Sequence, residues 1–339
     1  MKPERCFRFA PFAVAILEIM ITPPFAPEIL AEFPELTALG RTATRLHPRR
    51  ATSGVPGAGS GAGSGAGFWG PGAASRAAGA PFGVADAGAP HAARVPDAAV
   101  HPPRAGDSHV GGPLAWPADE PWPLCTHELR DGRPHARPNP LIPLAQLWAS
   151  DVPDLPRTDP HGDTFDVLQV LWCPVEHLRD TAGPAVQIRR RRAADLPTDL
   201  LTDPPQGDVQ HAGWLPTPCL LHPEQVTDYP CADALPPALR DRMPPGVAAG
   251  FVAPGWKVGG YPRRPGGFPC PHCGTPSELL LVISDHEYDD ESFHWIPLEE
   301  QDLDWSAPDG DAHQRPTGLR LTTDVHLFTC PGCGATHVS

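Results

Sequence analysis

The sequence predicts an α+β protein, mostly antiparallel β-sheet, built from two similar halves with a zinc ribbon in the C-terminal half. A repeated string, a pair of cysteine knuckles and the proline and glycine content carry that expectation. HVGGPLAWPADEPWPLC (109–125) and KVGGYPRRPGGFPCPHC (257–273) align without a gap and agree at Val, Gly, Gly, Pro, Pro, Pro and Cys. The likeness continues in order: an apolar run follows each string, then an Asp-Val strand that ends in Cys173-Pro174 or Cys330-Pro331. Three matched blocks in one order read as an internal duplication. With 48 prolines and 33 glycines in 339 residues, the chain is a poor helical bundle, because proline interrupts helices and central strands alike. Short strands joined by many turns suit it better.

Residues 1–28 read as an N-terminal extension. Lys2, Arg5 and Arg8 before an apolar run imitate a signal peptide, but Pro11 and Glu18 interrupt it and no small-x-small cleavage site follows. Met20 offers a second start, and the run is too short and broken to span a bilayer. Residues 29–50 carry apolar positions at helical spacing and predict a short helix or two. Residues 51–107, rich in Gly, Ala, Ser and Pro, predict a flexible insertion. Its Gly65–Gly70 string matches the dinucleotide fingerprint by composition alone, with no strand before it and no helix after. Residues 108–250 form the first half, with loops and a short helix near LPPALRDRM between 196 and 250. Residues 251–339 form the second half. The paired glycines, Gly111-Gly112 and Gly259-Gly260, predict a bulge or tight turn that aims Val110 and Val258 into the core.

The strongest chemical signal is CPHCG at Cys270–Gly274 and CPGCG at Cys330–Gly334. Two residues between thiolates let both sulfurs reach one ion, and the following glycine accepts the left-handed turn. Cys270, Cys273, Cys330 and Cys333 would complete a tetrahedral structural Zn²⁺ site with no open position. The repeat places Cys125 opposite Cys273 and Cys173 opposite Cys330, with Trp122 and Glu176 where the other two cysteines stand. Cys125, His127, Cys173 and His177 therefore make a candidate second, mixed site. The competing reading is a vestige whose cysteines only pack.

Eleven carboxylates lie between Asp285 and Asp311 without one Lys or Arg, which predicts a solvated loop. No EF-hand, H-E-x-x-H, G-x-S-x-G or P-loop pattern occurs. The net charge of −14 disfavours nucleic acid, and Arg189–Arg192 reads as an exposed strand end. An odd cysteine count of nine, with four in CPxC pairs, fits reduced thiols and a cytoplasmic location.

SHVGGPLAWPADEPWPLC, NPLIPLAQLWASDVPDLP, FDVLQVLWCP, APGWKVGGYP and the closing CPGCG resemble the YwqG-like family of unknown function, in particular larger bacterial members that end in a metal-knuckle segment. The resemblance covers residues 29–50 and 108–339. It implies curved antiparallel sheets from two similar halves and no established activity. The tract 51–107 and Arg263-Arg264 depart from the family pattern. The sequence-level expectation is a zinc-stabilised cytoplasmic binding module for a protein or small-molecule partner, with no nucleic acid or membrane partner. A second is a metal-dependent hydrolase using Cys125, His127, Cys173 and His177, with Glu176 as base. A third, nucleic-acid binding through the ribbon and Arg189–Arg192, ranks last.

Overall fold

The computed structural model describes residues 20–25, 27–51, 101–159, 161–177, 184–244, 247–248, 250–264, 268–304 and 310–339. Residues 1–19 and most of the Gly/Ala-rich tract lie outside them. The described chain is mostly antiparallel sheet with few helices. Helix α1 (Pro27–Glu32) and a 3-10 segment (Pro34–Leu39) lead into strand β1 (Arg41–Arg45) and the two-residue β2 (Arg49–Arg50). The expectation of helix over 29–50 therefore holds only to Leu39. Beyond it Thr42 and Thr44 alternate along β1, and pairing on both sides decides the strand.

The other strands are β3 (His109–Val110), β4 (Leu124–Cys125), β5 (Asn139–Pro140), β6 (Ile142–Trp148), β7 (Val167–Cys173), β8 (Ala185–Arg191), β9 (Cys219–Leu220), β10 (Glu224–Asp228), β11 (Lys257–Gly259), β12 (Glu278–Ile283), β13 (Val325–Thr329) and β14 (Thr336–Val338). Sheet one runs β10-β1-β11-β12-β13-β14, sheet two runs β2-β9-β3-β6-β7-β8, and β4-β5 form a small hairpin. Strands β9 and β10 lie in a region that the sequence reads as loops and a short helix. The helix there is α2 (Pro237–Arg240).

The two large sheets correspond strand for strand and in register. In sheet two Arg50, Cys219, Val110, Ala145, Val170 and Ile188 share one row across six strands. In sheet one the matching row is Gln225, Thr44, Val258, Leu281, Leu327 and Val338. The matching pairings β6–β7 and β12–β13 each slip by one residue at the same place, between Pro143 and Ala145 and between Leu279 and Leu281. The connections correspond as well. Leu46-His47-Pro48 carries the chain from β1 in sheet one to β2 in sheet two, and Leu221-His222-Pro223 carries it from β9 back to β10. The Leu46 amide donates to Trp256 O (2.9 Å) and the Leu221 amide to Ser108 O (3.1 Å), which are matching positions just before each repeated string.

One buried cluster joins the sheets, with Val110, Leu144, Leu168 and Val170 from one side and Val258, Leu281, Ile283 and Leu327 from the other. A second cluster (Phe33, Leu36, Tyr229, Leu235, Leu239 and Phe251) gathers the helical segments. Val110 and Val258 are both fully buried, and Gly111 and Gly259 adopt φ of 67° and 73°. The second glycine of each pair has a different task. A Cβ on Gly112 would lie 2.8 Å from His109 Nδ1, and one on Gly260 would strike the Asp228 carboxylate.

That carboxylate is a hub. Asp228 accepts from the amides of Tyr229 (3.0 Å), Ala253 (2.7 Å) and Tyr261 (2.7 Å), and from Lys257 Nζ (2.6 Å), with both side chains fully buried. Burial pulls the Lys257 pKa down and Asp228 opposes this. Truncating one partner of such a pair leaves a buried unpaired charge. Lys257→Met is expected to cost about 3–5 kcal/mol in urea unfolding. A loss under about 1 kcal/mol would show that the ion pair is dispensable.

Candidate metal centres

Both knuckles are tight turns at strand ends. The Gly274 amide donates to Cys270 O (2.8 Å) and the Gly334 amide to Cys330 O (2.9 Å). The two glycines sit at φ of 74° and 72°, the left-handed conformation such turns require. The Cys270 amide returns to Thr275 O (2.8 Å) and the Cys330 amide to Ala335 O (2.9 Å), so the knuckles are near-copies. The long β12–β13 pairing brings them together, with Cys330 directly after β13 and Cys270 beside the Pro269–Pro276 bridge. Cys270 Sγ lies 3.6 Å from Cys333 Sγ, and Cys273 Sγ 3.4 Å from Cys330 Sγ. A tetrahedron with metal–sulfur bonds of about 2.3 Å has edges of about 3.8 Å, whereas a disulfide measures about 2.05 Å. The four ligand atoms lie within 4.8 Å of one another and can hold a metal ion. Hydrogen bonds from the Thr275 side chain and backbone lower the pKa of the exposed Cys273 thiol to about 6, which favours the ligating thiolate.

A second group converges on the other sheet: Cys125, His135, Cys173 and His177, again within 4.8 Å of one another. Cys173 ends β7 as Cys330 follows β13, and Cys125 ends β4. The membership differs from the sequence expectation in one ligand. After Cys125 the chain turns to pair Leu129 with His177, which sets His127 beside the His177 ring (centroids 5.9 Å apart) and outside the group. The returning chain, through Leu129 N to Arg133 O (2.7 Å), delivers His135 instead. A Cys173-x3-His177 half was readable as a metal knuckle, whereas Cys125-x9-His135 has no knuckle spacing and gave no signal. Glu176, the base expected for a hydrolase, binds Arg130 (3.0 Å) and His211 (3.3 Å), and Arg130 lowers its pKa. Trp122 donates Nε1–H to Leu141 O (2.8 Å) and packs on Trp116 over the same cluster as Cys125 and Cys173.

No family model matches the chain, and no curated protein does. The chemistry therefore rests on the geometry.

Two charged segments behave differently from their sequence appearance. The acidic stretch is folded onto sheet one, not solvated throughout. Arg45 is fully buried and donates to Thr22 Oγ1 (2.9 Å) and Trp295 O (2.8 Å), and Arg49 meets Glu300 at 2.6 Å. Glu287 is buried nearby, and burial raises its pKa. The cations that balance these carboxylates come from β1 and β2, far away in sequence. The basic run is likewise engaged. Arg190 reaches Thr329 (3.2 Å), Arg191 grips Glu120 (2.7 and 3.0 Å) and stacks on Trp116, and Arg192 lies 3.7 Å from Asp195. Beside the four-cysteine group, a groove of about 590 Å³ is lined by Arg41, Tyr261, Arg264, Phe268, Glu278 and Phe328. The Arg41 guanidinium lies 4.4 Å over the Tyr261 ring. No helix among the described residues is long and apolar enough to cross a membrane.

Within the acidic stretch His286 is held between Asp285 and Asp289, with Arg263 on Asp289 (2.7 Å). Hydrogen bonds to Asp285 and then Asp289 raise its pKa to about 9. A histidine with a raised folded-state pKa stabilises fully below its unfolded value of 6.5 and loses that contribution as pH climbs through 9. The stability difference between wild type and His286→Gln should therefore shrink between pH 6.5 and 9. Parallel urea-unfolding curves at each pH check this, and a difference that stays constant would contradict the placement of His286.

Proposed function

We propose that the protein is a zinc-stabilised cytoplasmic binding module built from two copies of one sheet unit. The observation that carries this reading is the four-cysteine group. Four thiolates satisfy a tetrahedral ion completely, so the metal has no open position for a water nucleophile. All-sulfur tetrahedral ligation favours zinc among the common divalent ions in a reducing compartment. The described cysteines are free thiols, which supports a cytoplasmic location.

Duplication is supported by the matched rows, the matched slips and the repeated Leu-His-Pro connections. The same arrangement agrees with what the resemblance to YwqG-like proteins implies, two similar halves of curved antiparallel sheet, and we keep that kinship as part of the proposal. A hydrolase is less well supported, since the first-half group also has four protein ligands and Glu176 is tied to Arg130 and His211. The groove beside Arg41 and Tyr261 offers a ligand an aromatic and cationic surface.

Cys273→Ser should lose one zinc per chain by elemental analysis and lower the melting temperature by about 10 °C or more. For the binding role, a thermal-shift screen of a small-molecule fragment library should give ligands that stabilise wild type but not an Arg41→Ala/Tyr261→Ala variant. Chelator-sensitive hydrolysis of simple esters or phosphoesters, abolished by Glu176→Gln, would overturn the reading.

A further inference from the structure

We propose that Cys125, His135, Cys173 and His177 form a second zinc centre, which fastens the polar loop 126–138 to the end of β7. This goes beyond the binding role and depends on neither that role nor the duplication, because it stands on the local geometry.

The distances are those of a tetrahedral S2N2 set. His135 Nε2 and His177 Nε2 face each other at 3.2 Å. Cys125 Sγ lies 3.2 Å from His177 Nε2, and Cys173 Sγ 3.8 Å from His135 Nε2. With metal–nitrogen bonds of about 2.0 Å and metal–sulfur bonds of about 2.3 Å, the edges should be about 3.3 Å for N–N and about 3.5 Å for S–N. The observed edges straddle those values. The Nε2 of each ring is aimed at the other three donors. Thiol and ring protons would pair these groups only through separate S–H···N and N–H···N hydrogen bonds. One divalent cation satisfies all four at once.

The surroundings suit a structural site. Cys125, Cys173 and His177 are buried and His135 is half-buried. Asn139 Nδ2 donates to Cys173 Sγ at 3.1 Å, an outer hydrogen bond of the kind that orients a ligating thiolate. Asn139 is itself fixed, accepting from the Asp208 amide, so the ligand is braced from both sides. The loop also needs such a fastening. In residues 126–138 Leu129 is the single large aliphatic side chain and is only half-buried, while Arg130, Arg133 and Arg137 are largely exposed. The loop thus has little apolar surface to bury, and surface ion pairs such as Arg130–Glu176 hold weakly. Leu129 pairs with His177 and His127 lies against its ring, but His135 alone in the loop offers the buried group a ligand atom.

Two measurements on the full chain test this. X-ray absorption at the zinc edge of wild-type protein should show, averaged over two ions per chain, about three sulfurs and one nitrogen per zinc. Four sulfurs and a single zinc per chain would overturn the proposal while leaving the four-cysteine site intact. In the second, His135→Asn should lose one zinc of two, and trypsin should then cut after Arg130, the one arginine of the loop not followed by proline, at least tenfold faster than in wild type. His127→Asn should keep both zincs and the wild-type cutting rate. Equal metal content and equal proteolysis in His135→Asn and wild type would refute the site. Should His135→Asn fail to fold, the absorption result on wild type decides alone.

Discussion

The crossing of two short connections between the sheets is the constraint on which the architecture depends. Leu46 and Leu221 are buried in the shared core where the chain leaves one sheet for the other, and the His222 amide donates to Leu46 O at 2.8 Å. The two sheets therefore exchange edge strands: β10 edges the sheet that carries β1 and β11–β14, and β2 edges the sheet that carries β3, β6–β8 and β9. Both six-stranded sheets draw strands from before and after the tract 51–107. His47, at φ 40°, is the one described non-glycine residue with positive φ, and it sits at this crossing beside Glu224 (3.1 Å).

Charge placement follows from the same crossing. β1 and β2 bring Arg45, His47 and Arg49 to the face of sheet one, where Glu224, Glu287 and Glu300 converge on them. Burial drives the His47 pKa well below its ordinary value, with Arg45 and Arg49 adding to the effect. A net charge of −14 would repel a compact state if its carboxylates were spread evenly. Here part of the acidic stretch is neutralised internally, and its chain becomes a cover over the sheet. The two candidate metal groups lie at the ends of β7 and β13, the first of them inside the cluster of Leu114, Trp116, Leu141 and Leu171.

The parts of this arrangement legible in the sequence were those with local chemistry. The Val-Gly-Gly strings announced a backbone that needs positive φ, and Gly111 and Gly259 provide it. The cysteine knuckles announced a ligand set because two residues of spacing suffice to bring sulfurs to one ion. What was hidden depends on partners far along the chain. Strand β1 looked helical until its neighbours β10 and β11 were known, and β9 has only two residues. The acidic stretch looked solvated because none of its arginine partners lies within it: Arg49, which meets Glu300, comes from β2 far earlier in the sequence, and Arg263 and Arg315 flank the stretch on either side. His135 was invisible for the same reason. Nothing in GRPHARPNP marks a ligand, whereas His127, two residues from Cys125, was the more obvious choice until the turn at Leu129 redirected the chain.

The most direct test is a crystal of the full chain measured on both sides of the zinc absorption edge. The two-centre proposal predicts two anomalous peaks. One should lie among Cys270, Cys273, Cys330 and Cys333, and the other among Cys125, His135, Cys173 and His177. A peak in the first cluster alone, with the second closed by direct hydrogen bonds, would contradict the two-centre account. No peak in either would contradict the metal reading altogether.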